Sequence, residues 1–337
     1  MIGERHPMKL RPHWYLLILL AALAGWTSPA AADDLREDSV QPCVDAYYGI
    51  GQPVDYNKAF KCFQGHDVRQ FVILMTLNGE GTAKDPKRAQ QDLAAWGLDA
   101  STGNEDINLK NDVQEHLQDP AAPRADYCHD IAYSVYSLGF CSWVRERLQK
   151  QDFDKAMDVI RGSFTPAQQQ KWDELLRAEE AYEKLDASRL LKQFQEGTVR
   201  GVAYDMQLMY VRENFRNLVT DAFVRGQLIP ATADVQKQLA SALQAAYQAD
   251  VNGYSEGEDF LDQPESSALE KQAYASNVAE YSQDAEASQR AWTRLRDLCA
   301  AFAANAYKGE QKGVDVSASM TASLTRLRIL ELKNSPG

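Results

Sequence analysis

The residues most capable of chemistry are crowded into one segment, 285–299, which reads AEASQRAWTRLRDLC. Amide, guanidinium, carboxylate, indole and thiol groups occur together there, on Gln289, Arg290, Trp292, Arg296, Asp297 and Cys299. Their spacing is helical, and one face of that helix would carry Ser288, Trp292, Leu295 and Cys299. Such a face is more typical of packing than of catalysis, so we interpret Trp292 as a core residue.

The charges of this segment also have a structural interpretation. Glu286 and Arg290 are four residues apart, and Arg294 and Asp297 are three apart. Each pair would stabilise a solvated helix face by a few tenths of a kcal/mol. Arg296 is expected to bind carbonyls at the end of the last helix of the chain, or to pair with an acid there.

Catalytic motifs are missing from the rest of the chain. Beyond residue 32 the histidines are His66, His116 and His129, which are scattered and form no HExxH or Cys/His zinc spacing. There is no Gly-x-Ser-x-Gly elbow, Walker loop or dinucleotide fingerprint. We therefore predict a protein that is not an enzyme and that needs no cofactor or metal.

Acidic residues are concentrated in the segment 251–267, VNGYSEGEDFLDQPESS. Most segments of this composition are solvated connectors. If the partner is a cationic protein, this segment is the candidate binding loop, through Tyr254, Glu256, Glu258, Asp259, Phe260 and Asp262. The net charge of −12 repels phosphate backbones, which excludes nucleic acid as a natural partner.

The first 32 residues predict a secretory signal peptide. Arg5, Lys9 and Arg11 precede an apolar run over 14–26, and a small-residue cleavage site follows at Ala30-x-Ala32. The run is shorter than the roughly 20 residues that a membrane span needs. We expect a periplasmic or secreted protein without a membrane span. Its oxidising compartment predicts disulfides and one leftover thiol among Cys43, Cys62, Cys128, Cys141 and Cys299.

The periodicity predicts an all-α fold. Runs with apolar spacing of three and four cover 129–150, 165–195, 203–225, 232–251 and 267–307, and alternating strand patterns are scarce. Gly- and Pro-bearing stretches separate the runs. The best-defined helix start is Thr165-Pro166, an N-cap followed by proline at the first helical position.

A short repeat occurs near the N-terminus. YYGIGQPVDYNKAF at 47–60 and LNGEGTAKDPKRAQ at 77–90 align at an offset of 30 residues. Each has Gly-x-Gly, which ends one helix and permits a tight turn, and an aspartate that starts the next. Over 40–97 this pattern resembles the Sel-one-like repeat, a relative of the tetratricopeptide repeat built from helix pairs. Cys43 and Cys62 would then lie on the two helices of the first pair, which predicts a disulfide between them.

A longer repeat occupies the C-terminal part, where segments near 181–201 and 291–313 align at an offset of about 110. In the second copy, the segment 285–299 is followed by a Gly-bearing turn and a closing helix with Thr325, Arg328 and Leu332. Over 267–333 this order resembles the LprI-like lysozyme-inhibitor family, and 125–222 resembles an eroded first copy. The predicted organisation is therefore a helical-repeat segment at 33–120 and two related small helical domains at 121–226 and 227–337.

The remaining cysteine pairing stays open at this stage. Cys128 and Cys141 on one unbroken helix would lie about 20 Å apart, far beyond disulfide reach. They pair only if that helix breaks near Gly139. The rival is a Cys141–Cys299 bond between the two copies.

The LprI-like resemblance implies a function that the composition does not. It predicts an exported, non-enzymatic binding protein that inhibits lysozyme in the periplasm or cell envelope. In that interpretation the family motif is structural, and a cationic lysozyme is the partner. The alternative is an envelope adaptor that binds proteins through its helical repeats without inhibiting lysozyme.

Overall fold

The computed structural model describes residues 34–96, 104–192, 199–255, 267–307 and 315–333. The regular structure in these ranges is helical and contains no strand, which confirms the predicted all-α class. The predicted signal peptide, 1–32, lies outside the described residues. In the part of the chain that the structure describes, no helix combines the length and apolar character that crossing a membrane requires.

Eleven α-helices are described. They are α1 (Gln41–Tyr48), α2 (Tyr56–Gly65), α3 (Arg69–Asn78), α4 (Pro86–Ala95), α5 (Asn104–Gln118), α6 (Val135–Arg161), α7 (Pro166–Leu191), α8 (Val199–Phe223), α9 (Ala233–Ser255), α10 (Ala268–Ala306) and α11 (Val316–Lys333). A single π-helical turn, Tyr127–Ile131, precedes α6. The chain forms two compact units, Met1–Val144 and Arg145–Gly337.

The N-terminal repeat folds as two helical hairpins, α1–α2 and α3–α4. Gly49 and Gly79 end the first helix of each hairpin in the left-handed conformation, with φ of +74° and +78°. Asp55 and Asp85 then cap the second helix, and each accepts a hydrogen bond from the backbone N–H three residues later at 3.0 and 2.9 Å. The turn chemistry that the sequence predicted is therefore the chemistry that builds the hairpins.

Aromatic side chains form the core of the first unit. Phe71 of α3 lies at the centre, with its ring 4.6 Å from that of Phe63 and 4.8 Å from that of Tyr127. Tyr47 and Phe140 approach the same ring edge-on, at 5.2 and 6.0 Å. The π-helical turn and the start of α6 thus pack on the hairpins within one core.

Two disulfides are present in the first unit. Cys43 and Cys62 join α1 to α2, as predicted. Cys128 and Cys141 form the second bond, with their Cα atoms 5.5 Å apart. The helix predicted over 129–150 is interrupted between Ile131 and Val135, before Gly139, and this break brings the two cysteines together. The rival Cys141–Cys299 bond does not form, and Cys299 is a buried free thiol.

The second unit has one core built from both predicted copies. Helices α7 and α10 pack antiparallel, so that Gln168 near the start of α7 bonds the Asn305 carbonyl near the end of α10. Trp172 of the first copy and Phe302 of the second lie in the same buried cluster, with rings 5.4 Å apart. The two units meet at residues 144–145, so the predicted boundaries at 120 and 226 do not coincide with the division between them.

Candidate functional site

A fully buried carboxylate, Asp186 of α7, lies at the centre of the second unit. It accepts four side-chain hydrogen bonds of 2.6–3.1 Å from α7, α8, α10 and α11, donated by Arg189, Gln207, Ser288 and Arg328. Burying a charge is unfavourable unless it is paired and hydrogen-bonded, and here four helices supply partners to Asp186. We call this group, with the side chains that bind its arginines, the Asp186 network.

The two arginines extend the network outward in different directions. Arg328 donates to Tyr182 Oη at 2.7 Å and lies over the same ring. Arg189 donates to Asp250 Oδ1 at 2.6 Å and to Tyr281 Oη at 2.8 Å. Asp250 belongs to α9 and Tyr281 to α10, so the network ties α9 to the other helices of the unit.

The network determines protonation states that the sequence does not suggest. Burial raises the pKa of Asp186, but the neighbouring Arg328 and Arg189 outweigh this effect and hold it below its usual range. Burial raises the pKa of Glu331 to about 7, with Arg328 opposing the shift and Asp186 adding to it. The Tyr182 hydroxyl donates a hydrogen bond to Glu331. Arg189 and Arg328 thus each bind a buried aspartate, Asp250 and Asp186 respectively.

A second buried ion cluster includes Glu183 of α7, three residues before Asp186. Arg212 binds Glu183 through two hydrogen bonds of 2.7 and 2.9 Å and forms an ion pair with Glu146 at 2.6 Å. Burial raises the pKa of Glu183 to about 6, against the pull of Arg212. Burial and the nearby Glu179 raise the pKa of the Cys299 thiol. A thiol in that state is a poor nucleophile, so Cys299 is a packing residue.

An open groove lies above the Asp186 network, between α9, α10 and α11. Its volume is about 440 Å³. The apolar part of its lining is formed mainly by Leu239, Ala240, Leu243, Tyr247 and Ala322. Amide and hydroxyl groups surround this floor, on Gln236, Gln244, Gln289, Thr321 and Thr325. An apolar floor with a few groups that both donate and accept hydrogen bonds suits a peptide-like ligand.

The charged groups of the groove are paired with each other or with neighbours. Arg290 contacts Glu286 at 3.3 Å. Arg296 donates to Asp297 at 2.7 Å, with its guanidinium 5.0 Å from the centre of the Trp292 ring. The groove therefore carries little net charge, and its polar contacts come mainly from neutral side chains.

Gln289 connects the groove to the buried network. Its Oε1 accepts a hydrogen bond from Arg328 Nε at 3.4 Å, while the residue lines the groove. The buried guanidinium of Arg328 thus helps to hold the Gln289 amide in position. A ligand that bonds Gln289 would contact the outermost member of a hydrogen-bonded chain that reaches Asp186.

Of the eight motif residues, four line the groove, three are buried in the interior and one lies on the surface. Gln289, Arg290, Arg296 and Thr325 line the groove. Trp292, Cys299 and Arg328 are buried, as a structural motif requires. Asp297 is on the surface beside the groove, where it binds Arg296.

Two of the predicted ion-pair partners differ in the structure. The Glu286–Arg290 pair forms as predicted, but Arg294 reaches across to Glu174 of α7 at 3.8 Å instead of binding Asp297. Arg296 donates a hydrogen bond to Asp297 instead of binding a group on the last helix. Arg296 and Asp297 are adjacent in the sequence, which favours their pairing.

The predicted acidic binding loop lies largely outside the described residues, at Glu256, Glu258, Asp259, Phe260 and Asp262. Its first member, Tyr254, belongs to helix α9. The Tyr254 ring stacks on that of Tyr281 at 4.2 Å, and its hydroxyl donates to the Lys192 carbonyl at 2.8 Å. Tyr254 therefore has a structural role in the second unit.

Sequence reasoning named Arg328 as a motif residue but missed its partner Asp186 and the other α7 residues of the network. A usable signal existed on α7, where Glu179, Tyr182, Asp186 and Arg189 follow each other at helical spacing of three and four. Their helix face also carries the buried Leu175. Charged residues on a buried face indicate a buried ion network, but their partners come from distant helices and cannot be read locally.

One group of potential metal ligands is found among the described residues, in the first unit. The ligand atoms of Cys43, Cys62 and His66 all lie within 4.8 Å of one another. The two sulfurs are bonded to each other in this structure. The second unit presents no comparable group within its described ranges.

No protein-family model matches the chain, and no curated protein or solved structure is significantly similar to it. The LprI-like and Sel-one-like resemblances therefore stay predictions from the sequence. What can be inferred about function depends on the groove and on the network beneath it.

Proposed function

We propose that this chain is an exported, non-enzymatic protein that binds a segment of another protein in the groove between α9, α10 and α11. The observation that carries the proposal is the convergence of Gln289, Arg290, Arg296 and Thr325 on one groove. These residues come from two helices and are up to 36 positions apart. The two disulfides support an extracytoplasmic location, because such bonds persist in oxidising compartments.

Binding is a better interpretation of the groove than catalysis. The described residues that line it include no histidine or cysteine, and the one carboxylate among them, that of Glu286, is paired with Arg290. A general acid/base couple would need two titratable groups poised near a substrate. Two strongly perturbed carboxylates of this unit, Asp186 and Glu331, are buried and bonded to protein groups.

The partner that we propose is a cationic lysozyme, and the activity is its inhibition. This follows from the LprI-like resemblance of 267–333 and is supported by charge. A net charge of −12 attracts a cationic protein over long range and speeds its association. The groove would then supply the short-range contacts, through its neutral hydrogen-bonding groups and apolar floor.

The decisive experiment adds the purified, oxidised protein to a bacterial cell-wall lysis assay with lysozymes of several classes. Inhibition of at least one class at micromolar protein is expected. Complete lack of inhibition of every class would refute the lysozyme proposal. Charge reversal at Glu256, Glu258 and Asp259 tests the acidic loop separately. Unchanged inhibition by this variant would exclude the loop as the binding surface and leave the groove as the candidate.

A matched pair of variants tests the groove itself. Ala240 is exposed and lines the groove, whereas Ala245 is exposed on the same helix and does not line it. Ala240→Trp should fill the groove and weaken partner binding at least tenfold, a loss of roughly 1.4 kcal/mol. Ala245→Trp should leave binding unchanged. Equal affinities of the two variants would rule out the groove as the binding surface.

The second candidate function is an envelope adaptor that uses the first unit. It is favoured by the stacking of its hairpins, in which α2 packs on α3 and Gly81 lies against the Tyr56 carbonyl. Helix pairs stacked in this way commonly present a surface to protein partners. A photoreactive residue at the exposed Tyr133, compared with one at Ala240, would distinguish the two functions by which position crosslinks to the partner.

A further inference from the structure

The Cys43, Cys62 and His66 cluster lies on the α1–α2 hairpin and has no role in the proposed function. Cys43 is on α1, and Cys62 lies four residues before His66 at the end of α2. The His66 backbone N–H donates to the Cys62 carbonyl at 3.2 Å, which keeps His66 on the last turn of the helix. Asp67, with φ of +54°, then turns the chain away. The imidazole thus stays on the same side of α2 as the Cys62 sulfur.

The dimensions of the cluster suit a tetrahedral metal ion. Zinc binds thiolate sulfur at about 2.3 Å and imidazole nitrogen at about 2.0–2.1 Å, so adjacent ligand atoms in such a site are roughly 3.3–3.8 Å apart. The potential ligand atoms here lie within 4.8 Å of one another. Small side-chain rotations would bring the ligand atoms to the separations of a tetrahedral site. The Cα atoms of the two cysteines are 5.2 Å apart and need not move far.

Solvent exposure increases from Cys43 through Cys62 to His66. Cys43 is buried, Cys62 is half-buried and His66 is exposed. An ion can therefore enter from the His66 side, and a reductant can reach the Cys62 sulfur more easily than the Cys43 sulfur. A fourth, solvent-facing position would remain for water.

We propose that reduction of the Cys43–Cys62 disulfide opens a three-ligand site for Zn²⁺, so that the disulfide and the metal are alternative cross-links of the same hairpin. In the oxidised state the sulfurs are bonded to each other and are not thiolates, which are the species that bind zinc. This site goes beyond partner binding in the groove, and it lies in the other unit of the chain.

A dithiol, either a protein or a small molecule, is one reductant that can carry out this step. One thiolate of the reductant attacks the Cys62 sulfur, the S–S bond breaks, and Cys43 leaves and takes up a proton. The second thiol of the reductant displaces Cys62, which is protonated in turn, and the reductant becomes a disulfide. Two electrons pass to the protein. Zinc then binds both sulfurs and neutral His66, releasing the two thiol protons.

The test uses the full chain, reduced with a phosphine, and Co²⁺ as a spectroscopic substitute for zinc. We expect one bound Co²⁺ per chain, with thiolate charge-transfer bands and tetrahedral visible bands that disappear when Zn²⁺ is added. The oxidised protein should give none of these bands. Unchanged far-UV circular dichroism would establish that the reduced chain keeps its helices during the titration.

Two histidine variants provide a matched comparison. His66→Ala should weaken Co²⁺ binding at least about tenfold, because it removes one of three protein ligands. His129 is also exposed and adjacent to a disulfide cysteine, but it is not part of the cluster, so His129→Ala should have no effect. Cys43→Ser should abolish the bands.

Other outcomes overturn the proposal. These are the absence of bands from the reduced chain, bands that persist in Cys43→Ser, and equal affinities of the two histidine variants. If reduction lowers the helical content, Zn²⁺ must restore it in the wild type and fail to restore it in Cys43→Ser. A reduced chain that neither binds Co²⁺ nor regains helix with Zn²⁺ would also exclude the site.

Discussion

Replacing Asp186 by asparagine tests whether the Asp186 network stabilises the second unit. The substitution keeps the shape and one oxygen acceptor but removes the negative charge that faces Arg189 and Arg328. Both arginines are fully buried, so water cannot replace the lost partner. Breaking a buried ion pair by removing one member costs about 3–5 kcal/mol, because the other charge stays buried without compensation.

Two features of the structure place the expected loss at the low end of that range. Arg189 keeps its bonds to Asp250, so it is not left unpaired. Asp186 also adds to the raised pKa of Glu331, and its neutralisation allows Glu331 to ionise and form a salt bridge with Arg328. We therefore expect a loss of about 3 kcal/mol, which for a unit of this size lowers Tm by roughly 6–12 °C.

The measurement is urea and thermal unfolding of the full chain, followed by circular dichroism. The matched control is Asp297→Asn, which makes the same chemical change at a side chain that is 64% exposed and bound to Arg296. Its effect should stay within about 0.5 kcal/mol. If Asp186→Asn differs from this control by less than about 1 kcal/mol, the network contributes no more than a surface ion pair and our reasoning is wrong.

Three further predictions follow from the same structure. Glu331 has a pKa of about 7 in the folded protein, against 4.5 for an ordinary glutamate, so the folded state binds this proton more tightly than the unfolded state. The resulting stabilisation of the folded state is complete below pH 4.5 and is lost as the pH rises through 7. Glu331→Gln should therefore reduce the fall in unfolding free energy between pH 4.5 and 8 by about 3 kcal/mol in urea titrations. Gly81→Ala should destabilise the first unit more than Gly51→Ala in thermal unfolding. Both glycines have φ of +71°, but only at Gly81 would a Cβ meet a backbone oxygen, that of Tyr56, at 2.1 Å, and equal effects would contradict this. Cys299 should react with a thiol reagent only after denaturant is added, and rapid labelling of the native protein would show that it is not buried.

The local structure of the chain was largely predictable. Gly49 and Gly79 adopt the left-handed conformation that the repeat required, and Asp55 and Asp85 cap the following helices. Trp292 is buried on the face that its spacing indicated. These features depend on residues within a few positions of each other, where turn chemistry and helical periodicity act directly.

The pairing of Cys128 with Cys141 could not be predicted from the local sequence pattern. Apolar spacing over 129–150 favours one helix, which would keep the two cysteines far apart. The structure places a π-helical turn at Tyr127–Ile131 and begins α6 at Val135, and it thereby brings the sulfurs within bonding distance. The packing of Tyr127 and Phe140 against Phe71 accompanies this break, and those contacts are not visible in the local pattern.

The sequence by itself determined that the chain is helical and where its glycine turns and aspartate caps lie. The Cys43–Cys62 pair was predicted from the resemblance of the N-terminal repeat, and the structure confirms it. Only the tertiary structure decided that both copies in the second unit share a core, and that Arg328 of the predicted motif binds Asp186, 142 residues earlier. The physical reason is that turns and helix faces depend on neighbouring residues, whereas a buried charge takes its partner from whichever helix packs against it. The same packing decides which motif residues are buried and which line the groove.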